Sequence, residues 1–169
     1  KWHLKEGYTF KEWNTEADGS GTPYKEGDKF KNLTTINNSI IRFYAIVLPI
    51  NYEISFDANG GTGTMNHEIL TYDLESNLTK NTFAREGYTF KEWNTKADGS
   101  GTSYNDEQLI NISSNETLYA QWQPITYTLI LNSTNGSYEM KQQVLTYDKS
   151  EKISKNTFIR EGYTFKECN

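Results

Sequence analysis

Cysteine is nearly missing from this chain. Cys168 stands alone, so there is no disulfide framework and no multi-cysteine metal pattern. No apolar run is long enough to span a bilayer, and no signal-peptide h-region is present, so no membrane insertion is expected. Basic residues do not dominate either: 17 Lys and Arg face 22 Asp and Glu, a net charge of −5, without a basic cluster. That balance argues against nucleic acid and anionic membrane surfaces as partners. Histidine is scarce as well, with only His3 and His67, and no serine or threonine sits in a nucleophile elbow. A base beside a nucleophile, or paired carboxylates in a cleft, is the minimum for most catalysis. Nothing in the sequence supplies either, so neither an enzyme nor a cofactor is expected. The first residue is Lys1 rather than Met, which points to a processed or excerpted chain.

What the sequence has is aromatic residues, 14% of the chain, and repetition. EGYTFKEWNT occurs at Glu6–Thr15 and again at Glu86–Thr95, and begins a third time as EGYTFKECN at Glu161–Asn169. Ile50–Phe90 aligns with Ile125–Phe165 at a constant offset of 75 residues, whereas Glu6–Tyr24 aligns with Glu86–Tyr104 at 80. The offset returns to 75 at Phe43, so the first copy carries about five extra residues within Lys25–Arg42. An insertion of this kind falls in a loop. The chain therefore divides into the back part of one repeat (1–49), a complete repeat (50–124) and the front part of a third (125–169). Residues 156–169 duplicate residues 1–14, so the two ends do not add up to one clean unit. An excerpt of a longer array is a simpler account than ends completing one another head-to-tail.

Within one repeat, Tyr52, Ile54 and Phe56 alternate with polar residues, the period of a half-buried strand, and Tyr127, Leu129 and Leu131 repeat it. Asn59-Gly60-Gly61, with Asn135-Gly136 in the next copy, supplies the positive φ angles of a tight turn. A second strand runs over His67–Tyr72. The segment Leu74–Glu86, closed by Gly87, reads as a short helix with a C-terminal glycine. Strands then follow at Tyr88–Trp93 and Thr117–Trp122, separated by the turn-rich loop Asn94–Tyr104. The order β-β-α-β-β predicts an α+β domain, a helix on a mixed or antiparallel sheet. The last strand of one repeat and the first of the next are separated by only two residues, which predicts a stiff linear array.

Phe56–Gly61 (FDANGG), Gly87–Thr95 (GYTFKEWNT), Ala97–Thr102 (ADGSGT) and Leu118–Trp122 (LYAQW) together resemble the internalin-type B repeat, or Listeria–Bacteroides repeat. The resemblance covers essentially the whole chain. It implies tandem small β-grasp (ubiquitin-like) domains in bacterial surface and secreted proteins, without catalytic residues. Some members bind host surface partners, and most serve as stalk modules. The sequence departs from the family pattern at Glu12, Glu92 and Glu167, which stand where the family has glycine. A glycine in a strand often marks a bulge, so the bulge is in question there.

Candidate residues follow from this reading. Phe56, Tyr88, Phe90, Trp93, Leu118 and Trp122 are assigned to the repeat core, since repeated strand aromatics are more often core than a carbohydrate-binding stripe. Tyr24 and Tyr104, at the end of the ADGSGT loop, are the candidates for an exposed contact. Cys168, in the place of Trp13 and Trp93, is either a smaller apolar residue or a crosslinking thiol. Asn94, Asp98 and Gly99 do not make a calcium loop, because Lys96 occupies a required ligand position. The leading expectation is a non-enzymatic segment of an extracellular bacterial stalk, adhesin or filament. Its partners are neighbouring repeats or identical subunits joined head-to-tail. The alternative is a binding module recognising a host or neighbouring-cell protein or glycan, with the Lys25–Arg42 insertion as its distinguishing loop.

Overall fold

The recurring run YTFKEWN alternates aromatic and polar residues, and in both complete copies it forms a strand. A computed structural model describes residues 3–132 and 141–164. In the first part-repeat, β1 (Tyr8–Asn14) lies between β2 (Pro23–Tyr24) and β3 (Tyr44–Pro49). The complete repeat contains β4 (Asn51–Asp57), β5 (Glu68–Thr71), β6 (Ser76–Asn77), β7 (Tyr88–Asn94), β8 (Ser103–Tyr104), β9 (Leu109–Ile110) and β10 (Glu116–Pro124). Five of these form a mixed sheet in the order β5-β4-β10-β7-β8, while β6 pairs with β9. All neighbours run antiparallel except β4 and β10, which are parallel from Ile54↔Glu116 to Asp57↔Tyr119. The third part-repeat contributes a hairpin of β11 (Thr126–Leu131) and β12 (Lys141–Thr146). Asn135-Gly136 and Cys168 lie outside the described residues.

The core belongs to the complete repeat. Ile54, Leu70, Trp93, Leu118 and Ala120 point from the sheet to one side, where Leu78, Phe83, Ile110 and Ile112 close over them. Burying a side chain the size of Ile54 or Leu118 stabilises a fold by about 1.5–3 kcal/mol. Equivalent positions in the part-repeats are more open: Ile153, the counterpart of buried Leu78, is 60% exposed.

The α+β, β-grasp expectation is overturned: the described residues contain no helix, and the chain is all-β. The expected helix, Leu74–Glu86, is instead an extended crossover. Leu78 and Phe83 are five positions apart, a spacing that would put them on different sides of a helix. Both nevertheless reach the core, because the chain between them is irregular, neither a helix nor an alternating strand. Side chains, rather than carbonyls four residues back, also accept the backbone N–H groups here. Glu68 Oε1 accepts from Thr79 N, Asp106 Oδ1 from Asn81 N, and Asn81 Oδ1 from Phe83 N at 2.9 Å. Ser, Thr and Asn compete with helical bonding in this way. Gly87, read as a helix-ending glycine, sits at φ 76° in a β-turn leading into β7, with Tyr88 N–H on Arg85 O at 3.1 Å.

Two local features refine the sequence reading. Asn59 (φ 45°) and Gly60 (φ 84°) form the expected tight turn, closed by Gly61 N–H on Ala58 O at 2.9 Å. The chain does not fold straight back, however: Thr62 bridges to Ala84 before β5 begins. The strand bulges are present despite the glutamates. The register shifts between Phe10 and Glu12, and at Gln121/Trp122 opposite Glu92 and Phe90. Adjacent strand residues ordinarily point to opposite faces. The extra residue brings Lys91 Nζ within 3.0 Å of Glu92 Oε1, and Lys11 Nζ within 3.5 Å of Glu12 Oε1.

Candidate functional site

Pro49 ends β3 and Asn51 begins β4, which leaves Ile50 alone between two sheets. Its N–H donates to Gly7 O at 2.8 Å, and its carbonyl accepts Tyr72 N–H at 2.9 Å. Ile125 does the same one repeat later, with Gly87 O at 2.9 Å and Tyr147 N–H at 3.0 Å. One residue therefore spends both backbone groups on two different repeats.

A side-chain clasp lies over each of these joints. Gly7 adopts φ 77° in a turn closed by Tyr8 N–H on Lys5 O at 3.2 Å. A Cβ built on Gly7 would overlap the Tyr72 ring, so only glycine leaves room for it. Tyr72 meets Tyr8 edge-on, with ring centroids 5.7 Å apart, a preferred aromatic geometry. Asp73 Oδ2 then accepts from both Tyr8 OH and Lys5 Nζ at 2.8 Å each. At the second joint Gly87, Tyr88, Tyr147 and Asp148 repeat the arrangement. The Tyr88 and Tyr147 centroids are 5.8 Å apart, and Tyr88 OH donates to Asp148 Oδ2 at 2.8 Å. Arg85 replaces Lys5 and lies over the Tyr88 ring, 4.1 Å from its centroid. The third copy has the same turn: Gly162 is at φ 76° and Arg160 lies 3.8 Å from the Tyr163 centroid.

The clasp perturbs its own ionisation. The Lys5 hydrogen bond, then that of Tyr8, holds the Asp73 carboxyl below its ordinary range. The bond to Asp73 raises both the Tyr8 phenol and the Lys5 ammonium. Tyr88 is raised chiefly by its bond to Asp148. The Lys5–Asp73 pair is exposed, so water and salt screen most of its attraction.

The structure distributes the sequence candidates differently from one another. Trp93 and Leu118 are fully buried, and Phe56 and Phe90 pack on Trp93 at 4.9 and 5.0 Å between centroids. Trp122 is half-buried and donates its indole N–H to Ala58 O at 2.9 Å. Tyr88 belongs to the joint. Tyr24 and Tyr104 are half-buried opposite Trp13 and Trp93, the ends of the loop rather than its tip. That loop is organised by Asn94, which is fully buried; its side chain bonds to Lys96 N, Gly99 O, Gly101 N and O, and Ser103 Oγ. Sequence reasoning missed the clasp. Its signal was the tetrapeptide LTYD, identical at Leu70–Asp73 and Leu145–Asp148, paired with a recurring basic-x-Gly-Tyr.

Among the described residues, no group of three or more His, Cys, Asp or Glu side chains could hold a metal ion, and no helix is long and apolar enough to cross a membrane. A Listeria-Bacteroides repeat domain model matches residues 3–46 and 52–121. Two proteins of Evansella cellulosilytica are similar. One, named "Putative Gly-rich membrane protein", is 35% identical over 136 residues, covering 78% of this chain and 16% of its own length. The other, named "Putative membrane protein", is 32% identical over 123 residues, covering 70% of this chain and 17% of its own length. The chain thus spans about a sixth of the curated relatives it matches. No solved structure matches it.

Proposed function

We propose, on the premise that this chain belongs to the Listeria-Bacteroides repeat domain family, that it is a non-enzymatic structural segment of a bacterial extracellular stalk, adhesin or filament. The observation that carries this reading is the joint, built twice from corresponding residues: Ile50 with Gly7, Tyr8, Tyr72 and Asp73, then Ile125 with Gly87, Tyr88, Tyr147 and Asp148. A one-residue connection, bonded to both sides and covered by a ring pair, resists bending, so the repeats form a stiff linear array. Neighbouring repeats are its first partners; identical subunits joined head-to-tail are the other source of the same contact. Small-angle scattering with light scattering tests this. An elongated particle of fixed length supports the reading, and units hinging freely about Ile50 and Ile125 would refute it.

One observation favours a second reading, a binding module. The Lys25–Arg42 insertion brings Leu33, Ile40, Ile41 and Arg42 beside Tyr24 and Phe43, lining an open cleft of about 430 Å³. A screen of the full chain against host-surface proteins and glycans, repeated with Ile40→Ser, distinguishes the two. Binding that the substitution removes favours recognition; no ligand favours the spacer.

A further inference from the structure

Tension along an array of repeats enters the complete repeat at Ile50 and leaves it at Ile125, since the neighbours attach at those residues. The two strands that receive the load, β4 and β10, are hydrogen-bonded neighbours, and they are the one parallel pair in the sheet. Parallel pairing puts the pulled end of β4, Asn51, and the pulled end of β10, Pro124, at opposite ends of their shared ladder. Pulling them apart slides one strand along the other. In a slide the cross-links must yield together; in a peel they yield one at a time.

The ladder itself is short, Ile54↔Glu116 to Asp57↔Tyr119. Side chains extend it in both directions. Before it, Asn115 Oδ1 accepts Glu53 N–H at 2.9 Å. Beyond it, Trp122 Nε1–H donates to Ala58 O at 2.9 Å, and Asn59 Nδ2–H donates to Ala120 O at 3.0 Å. Each of these bonds joins the β4 segment to the β10 segment and none involves a third strand. Ile54 and Leu118, both fully buried, pack beneath the same seam. Behind it, β5 holds the pulled end of β4 and β7 holds that of β10, so neither strand leaves singly.

We infer that each complete repeat is a tension-bearing element, with the β4–β10 seam as the part that sets its resistance to stretching. The inference rests on the array reading above and adds a mechanical function to it. Its test is single-molecule force spectroscopy on the full chain in a Cys168→Ser background, in two geometries at one loading rate. In one, handles attach at the chain ends, and rupture of the complete repeat is identified by release of Ile50–Pro124, about 25 nm at roughly 3.3–3.6 Å per residue. In the other, handles at Asp57→Cys and Tyr119→Cys peel the same ladder open from one end. Forced unfolding is governed by the unfolding barrier. The end-to-end rupture force is expected to exceed the peeling force by at least about twofold. Equal forces, or a lower end-to-end force, overturn the inference. Scattering separates the two claims: an elongated rigid particle with equal forces sinks only the tension-bearing role, whereas a hinged particle with a higher end-to-end force keeps it and sinks only the array.

Discussion

Gly87 and Tyr147 illustrate how much a joint depends on one missing carbon. Gly87→Val places a branched side chain where the Tyr147 ring lies and forces it to φ 76°, a conformation that costs a non-glycine residue about 1–3 kcal/mol. Hydrogen exchange is expected to show lost protection of the Tyr147 and Ile125 amides, while amides of β4 and β10 keep theirs. Ionisation acts at the same scale. The Asp73 pKa is lowered in the folded state, so its contribution is present above the ordinary carboxylate pKa and disappears as pH falls through the lowered value. Tyr8 and Lys5 are raised, so their contributions are complete below their ordinary values, near 10, and disappear as pH rises through the raised ones. The Tyr8–Tyr72 contact is therefore expected to be tightest between those limits and to loosen at both extremes, as read from tyrosine ring resonances across a pH titration.

The crossover from β5 to β7 shows what an element owes to its polar residues. Phe83 is 7% exposed in a segment with no regular structure, yet it closes the core over Trp93, with centroids 6.1 Å apart. Phe83→Ala is expected to destabilise the complete repeat by about 3–5 kcal/mol, measured as a fall in the denaturant midpoint. The strands were legible because Tyr52, Ile54 and Phe56 carry a two-residue period that matches the pleat. The crossover was not, because its backbone N–H groups are taken by side chains that a periodicity reading does not weigh, Glu68 and, 25 positions from its partner, Asp106. The joint was half legible: the short linker was plain, but the Tyr72 ring over Gly7 pairs residues 65 positions apart. The bulges at Lys11 and Lys91 form without glycine, since an exposed lysine can occupy the extra position and pair with the glutamate beside it.

For the whole molecule, the balance of forces at the joints decides how the proposed array responds to its surroundings. The backbone bonds of Ile50 and Ile125 and the tyrosine ring pairs do not depend on screening, and the Lys5–Asp73 ion pair at the first joint is exposed. The scattering-derived length is therefore expected to stay constant from about 0.05 M to about 1 M salt, a range over which the Debye length shrinks severalfold. A length that collapses with salt would show that charge, rather than ring packing, keeps the repeats aligned.

The single residue between sheets has a last consequence, for how such a protein can change its reach. One residue added beside Ile50 reverses the faces of the strand that follows, and Tyr72 no longer meets Gly7. Loops such as Lys25–Arg42 can lengthen without disturbing that phase, but the joint cannot. Overall length is therefore digital: a protein built this way grows or shortens by whole repeats, as a chain is lengthened by links and never by fractions of one.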